Sequence, residues 1–157
     1  MGARIVAALA LLAVARASAW DCAAATVLRV HDGDTITVRC GDAAPVKVRF
    51  ADIDAPELHQ AHGEASRDAL TRLIGGRRVQ LQSRAVDRYH RIISAVRVGD
   101  DDLGLELVGQ GLAWCGQRPT HVCRQALRSA QAAHRGLWAD VNPQPPWQWR
   151  REHPRND

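Results

Sequence analysis

An Asp-Gly pair set between two stretches of strand character constrains this chain more than any other feature. Asp32-Gly33 follows residues 26–31 and precedes residues 36–40, where apolar and polar side chains alternate. Period-two alternation marks a strand with one buried face, and Asp-Gly is the turn that joins two such strands antiparallel. Residues 41–45 make the next turn, after which Val46, Val48 and Phe50 alternate with Lys47, Arg49 and Ala51. The first half of the chain is therefore expected to form a three-stranded meander.

Residues 63–74 change to a helical period, with Ala65, Ala69, Leu70, Leu73 and Ile74 on one side. Glu64 falls in the first turn, where a carboxylate suits the helix dipole, and Gly75-Gly76 closes the helix. Residues 79–85 and 92–98 return to strand alternation on either side of a charged turn, Asp87-Arg88-Tyr89-His90-Arg91. Residues 103–112 read as a short apolar helix, and residues 120–135 as a longer one stopped at Gly136. Five short strands with three helices predict a mainly β domain with α elements. A closed five-stranded barrel of the OB type is the economical solution, because closure removes the edges of so small a sheet.

Residues 1–19 carry Arg4, an apolar run over 5–15 and then Ala17-Ser18-Ala19, the pattern of a secretory leader cut before Trp20. The run is too short to span a bilayer, so the product is expected to be secreted or periplasmic, with no lasting membrane association. Removing 19 residues from 157 leaves 138, a length that suits one domain over 20–141 and a tail over 142–157 with four prolines, Trp147 and Trp149. The mature charge is only +2, from 19 basic residues against 17 acidic, and Lys47 is the sole lysine. Four cysteines behind an export signal read as disulfides, and no Cys-x-x-Cys spacing supports zinc. Of the three possible pairings, the two local ones are favoured. Cys22 and Cys40 flank the hairpin, and Cys115 and Cys123 bracket a short polar loop. His59 and His62 lie in a loop and read as solvated rather than as a zinc site.

The chemistry concentrates at the end of the third strand. There Arg49 is followed closely by Asp52, Asp54, Pro56 and Glu57, and Pro56 halts the ladder and fixes a turn. Fixed cations beside hard oxygen ligands are what phosphodiester hydrolysis requires. Asp32 and Asp34 add carboxylates at the hairpin. Turn chemistry explains one such residue, and a second directly after Asp-Gly exceeds what the turn needs.

Asp32-Gly33-Asp34-Thr35, Arg49 with Asp54-Ala55-Pro56-Glu57, and the turn ending in Arg91 resemble, in this order, the staphylococcal nuclease (thermonuclease) family. So do Gly109-Gln110-Gly111-Leu112-Ala113 and Gly136-Leu137-Trp138, and the match spans most of the mature chain. The resemblance implies an OB-fold barrel and a Ca²⁺-dependent phosphodiesterase that cuts DNA and RNA to leave 3′-phosphates. It implies Asp34, Asp54 and the main-chain carbonyl of Ala55 as metal ligands, and Asp32 close behind them. Arg49, Glu57 and Arg91 become the catalytic trio. His90 stands where the family has glycine before the last arginine, and the loop after Glu57 is shorter than in the namesake enzyme.

Residue chemistry agrees with that reading. Two aspartates and a carbonyl are hard ligands that suit Ca²⁺, and Mg²⁺ less well because it demands tighter octahedral geometry. Glu57 can serve as general base, while Arg49 and Arg91 clamp phosphoryl oxygens. Tyr89 either stacks on a base or packs under its turn, with Arg88 beside it as a substrate contact. Each arginine could instead be an ion-pair partner of Asp52 or Asp87. A monomer acting on DNA or RNA is expected. The competing reading is a non-catalytic OB module for single strands, which would have no use for carboxylates that repel phosphate.

Overall fold

The computed structural model describes residues 20–154; the leader expected over residues 1–19 lies outside them. The meander forms from β1 (Cys22–Val30), β2 (Thr35–Cys40) and β3 (Val46–Phe50). Two residues, β4 (Ile53–Asp54), follow, and then helix α1 (Gly63–Ile74). Strands β5 (Val79–Val86) and β6 (Ile92–Val98) make a second antiparallel hairpin. β7 (Asp101–Asp102), α2 (Leu103–Gly109), β8 (Trp114–Cys115) and α3 (His121–Ala132) follow. A 3₁₀ turn over Gly136–Ala139 and a short helix α4 (Pro146–Glu152) end the described chain.

β1 pairs with β2 and β5, β2 with β3, and β5 with β6; a parallel pairing of β3 with β6 closes the ring. This is a closed, mixed, five-stranded barrel, the OB-type architecture expected. Its interior is filled by alternate residues of each strand, among them Ile36, Val38, Val48, Phe50, Val79 and Val96, all of them fully or almost fully buried. The register Val48↔Ile92 and Arg49↔Ile93 fixes the other face: Val48 and Phe50 point inward, so Arg49 points out.

The tight turn expected over Asp32-Gly33-Asp34-Thr35 is a three-residue loop over 32–34, closed by the His31 N–H donating to the Thr35 carbonyl at 2.9 Å, with Thr35 already in β2. Gly33 does not adopt a left-handed backbone. It is glycine because a Cβ there would collide with the Ser66 hydroxyl of α1 and with Ala55. α2 ends at Gly109 rather than at 112, and α3 at Ala132 rather than at 135. His134 turns left-handed and the Arg135 N–H bonds back to the Ala130 carbonyl, so the longer helix unwinds before Gly136. Three helices were expected and four α-helices are present among the described residues, since the proline-rich tail adds α4.

Both local disulfides form, with Cα–Cα separations of 6.1 Å for Cys22–Cys40 and 6.0 Å for Cys115–Cys123. Simple pairing across the hairpin leaves Cys22 and Cys40 out of step. The β1–β2 register shifts once, between Val27 and Arg29, and this bulge absorbs only part of the difference: Cys40 lies opposite Ala25, and the disulfide reaches on to Cys22 at the start of β1. The bridged cysteines are 18 and 8 positions apart in sequence. Such closures contribute about 2–4 kcal/mol each by restricting the unfolded chain. Reduction is therefore expected to lower the melting temperature in calorimetry in two separable steps when single Cys→Ser pairs are compared. Loss of neither stabilisation on reduction counts against that assignment.

Candidate active site

Three segments meet on the rim of the barrel: the 32–34 loop, β4 with the turn after it, and the start of α1. β4 pairs with β8 in the register Ile53↔Cys115 and Asp54↔Trp114, and the Gly116 N–H donates to the Asp52 carbonyl at 2.6 Å. The Cys115–Cys123 bridge then ties this small ladder to α3. The peptide carrying Asp54 is thus fixed from two sides.

Asp34 is buried. Its Oδ2 accepts the Ala55 N–H at 2.9 Å, and its Oδ1 accepts the Thr35 hydroxyl at 3.0 Å. Asp32 Oδ1 in turn accepts the Asp34 N–H at 3.0 Å. Arg49 binds both acids through one nitrogen, Nη2, at 2.9 Å from Asp54 Oδ1 and 3.3 Å from Asp34 Oδ2. Its Nη1 donates to the Phe50 and Ile53 carbonyls at 3.1 and 3.2 Å, which locks the guanidinium against the strand end. Burial pushes the Asp34 carboxyl up to about 7, against the pull of the Arg49 charge. An acid so desolvated has a strong need for positive charge.

Glu57 lies on the same rim. Its N–H donates to the buried side chain of Gln60 at 3.1 Å, and its Oε1 faces the Arg150 guanidinium at 3.0 Å. Arg150 comes from α4. Its Nη2 reaches Asp54 Oδ2 at 2.8 Å and its Nη1 reaches Asp54 Oδ1 at 3.1 Å. Hydrogen bonds donated to Asp54 and then Glu57 hold the Arg150 guanidinium above its ordinary pKa, against its partial burial. Sequence reasoning missed Arg150. Its signal was Pro145-Pro146 ahead of helix-compatible residues, the pattern of proline at a helix start.

Arg91, Arg88 and Tyr89 gather at the β5–β6 turn. Arg91 lies two residues before Ile93, the register partner of Arg49, and so on the same outward alternation as Arg49. Its Nε donates to Asp87 Oδ2 at 2.8 Å, the ion pair that was the alternative reading of this arginine. Arg49 takes Asp54 and Asp34 instead of Asp52, which pairs with Arg84. Burial would raise the Asp87 carboxyl, but the N–H groups of Arg91 and Tyr89 and the Arg91 guanidinium outweigh it and hold it low. Tyr89 is 60% exposed rather than packed under its turn, with the Arg88 guanidinium 4.8 Å and that of Arg91 5.4 Å from the ring centre. His90 adopts φ 58°, a left-handed conformation that favours glycine. His62 pairs with Asp140 at 2.9 Å.

The donor set fits a hard divalent cation. Asp34 and Asp54 already share one cationic nitrogen, so their oxygens converge, and the Ala55 backbone is held beside them by its bond to Asp34. No group of three or more His, Cys, Asp or Glu side chains forms a cage among the described residues. Two carboxylates and a carbonyl would leave positions for water and a phosphate oxygen.

Several known proteins are similar to this chain over most of its length. Residues 47–140 match the profile described as staphylococcal nuclease homologue. An uncharacterized endonuclease of Haemophilus influenzae is 41% identical over 128 residues, covering 80% of this chain and 72% of that protein. Protein ParB of Escherichia coli is 38% identical over 162 residues, covering 95% of this chain and 90% of its own length. Micrococcal nuclease of Shigella flexneri is 35% identical, with coverage of 94% and 91%.

Proposed function

The chain belongs to the staphylococcal nuclease homologue family and is a nuclease, and from that premise we propose that it hydrolyses phosphodiester bonds of DNA and RNA with a divalent ion, preferably Ca²⁺, leaving 3′-phosphates. The supporting observation is the convergence of Asp34 and Asp54 on Arg49, with Glu57 on the same rim. When bound, a divalent ion would neutralise phosphate charge beside those acids. Asp34, Asp54 and the Ala55 carbonyl would hold it, and Asp32 fixes the loop that carries Asp34.

Glu57 then takes a proton from the attacking water, its backbone held by Gln60. Arg49, braced by two carbonyls, and Arg91, aligned on the neighbouring strand, bind phosphoryl oxygens as charge builds on them. Tyr89 offers an exposed ring for base stacking, flanked by Arg88. The leader pattern supports a secreted or periplasmic location, free of the membrane, for this enzyme. Digestion of DNA and RNA by purified mature protein with Ca²⁺, with Mg²⁺ and with chelator tests the proposal. Full cleavage in excess chelator removes the metal from it.

The Asp34 carboxyl supplies a pH signature. Its folded value of about 7 lies above the ordinary 3.8, so the fold binds a proton that the unfolded chain releases. Without metal, this group's contribution to stability is full below the ordinary value and is lost as pH rises toward 7. A bound ion needs the carboxylate form, so its affinity is expected to weaken progressively below about pH 7. Thermal melts at pH 5 and 8, with chelator and with Ca²⁺, are expected to show ion stabilisation at pH 8 well above that at pH 5. Equal stabilisation at both would remove Asp34 from the ligand set.

A further inference from the structure

We propose that Arg150 is a further phosphate-binding residue of this active site, held on Asp54 and Glu57 until a divalent ion displaces it; the inference rests on the metal-dependent nuclease reading above. α4 is seven residues long and too short to be stable alone, so its position reflects tertiary anchors. Pro146 is buried, Trp147 meets Trp114 edge-on at 6.2 Å, and Gln60 donates to the Gln144 carbonyl at 2.6 Å. Trp114 is the register partner of Asp54. Arg150 follows Trp147 by three positions and therefore lies on the same side of the helix. The anchor that seats Trp147 on Trp114 thus aims Arg150 at Asp54.

The guanidinium meets Asp54 with a two-nitrogen fork, at 2.8 and 3.1 Å, and reaches Glu57 at 3.0 Å. That fork matches a phosphate as well as a carboxylate. A divalent ion on Asp54 would repel the guanidinium from it. The helix would stay seated, because its anchors involve neither acid. The long side chain, 41% exposed, would then remain beside Glu57, next to where a phosphate must lie. Without an ion, Arg150 offsets the mutual repulsion of Asp54 and Glu57. With one, it is a third arginine for the substrate beside Arg49 and Arg91.

The test measures binding rather than turnover. Calorimetric titration of Ca²⁺ and binding of a cleavage-resistant phosphorothioate oligonucleotide in saturating Ca²⁺ are compared for wild type, Arg150→Gln, Arg150→Lys and Arg151→Gln. Arg150→Gln is expected to tighten Ca²⁺ at least about fivefold by removing a competing cation, and to weaken the oligonucleotide at least about tenfold by removing a charged fork. Arg150→Lys keeps the charge without the fork and is expected to weaken the oligonucleotide while Ca²⁺ affinity stays near wild type; it carries the test if the glutamine variant melts early. Arg151→Gln is expected to change neither. Unchanged Ca²⁺ affinity in Arg150→Gln overturns displacement, and unchanged or tighter oligonucleotide binding overturns the phosphate role. A wild type that binds no divalent ion overturns the metal-dependent reading together with this inference. A wild type that binds Ca²⁺ and cleaves while Arg150→Gln equals it in both affinities removes the inference alone.

Discussion

Arg49→Ala, Glu57→Gln and Arg91→Ala are each expected to lower kcat at least about 100-fold, the scale on which a lost transition-state donor or base is felt. The three differ in what else they do. Glu57→Gln is isosteric and keeps a side-chain oxygen toward Arg150, so its melting curve should stay close to wild type while general-base function is lost. Arg49→Ala strips the cation shared by Asp34 and Asp54, and it leaves a buried acid uncompensated. Its loss of rate should therefore come with a lower melting temperature in chelator, partly restored by Ca²⁺. Arg49→Lys keeps the charge and separates the two effects. Arg91→Ala opens the Asp87 clamp around Tyr89, so circular dichroism must accompany its rate. Near wild-type turnover in folded Arg91→Ala would mean that this arginine only braces its turn.

The largest stability effect is expected at Gly111. Two left-handed glycines, Gly111 at φ 73° and Gly136 at φ 52°, meet back to back, and the Leu137 N–H donates to the Gly111 carbonyl at 2.8 Å. A Cβ on Gly111 would overlap the Arg135 carbonyl, and one on Gly136 would overlap the Gly111 carbonyl. The obstruction is backbone on both sides, so no side chain can swing away. A left-handed alanine costs about 1–2 kcal/mol and forced overpacking a further 1–3. Gly111→Ala is thus expected to destabilise by about 3 kcal/mol or more in denaturant titration. Gly109→Ala, with open space around its Cβ position and a place at the end of α2, serves as the contrast. It should be neutral or stabilising by up to about 1 kcal/mol. Equal effects at the two positions would show that close approach is not why Gly111 is glycine.

The same pair shows how far sequence reading reached. Gly109-Gln110-Gly111-Leu112-Ala113 and Gly136-Leu137-Trp138 could be recognised as motifs, yet nothing local revealed that they touch. Gly33 is a similar case. Asp-Gly signalled a turn, and a turn is there, but the glycine is required by Ser66, from a helix still 30 residues downstream. The disulfide pairing was legible because cysteines on either side of a hairpin or a short loop are brought close by local geometry. The helix over Gly63–Ile74 was legible to the residue, since its period lies within its own length and its glycine stop directly follows it. Asp34, Asp54, Arg49 and Glu57 could be named as one group from residue type and family pattern. Their bonding could not. Which nitrogen of Arg49 serves which acid depends on where the loop at 32–34 lies against β4.

By itself, the sequence determined the strand and helix segments of the barrel, both cysteine pairs, and the acids and arginines available for chemistry. Each follows from periodicity, turn chemistry or charge read over a few neighbouring residues. Tertiary structure alone decided that β3 and β6 close the ring in parallel, that Gly33 seats a helix, and that the tail returns to the site. Arg150 reaches Asp54 across 96 positions of chain. A contact at that separation has no local pattern to announce it. It accompanies the edge-on contact of Trp147 with Trp114, the residue that β8 places opposite Asp54 of β4.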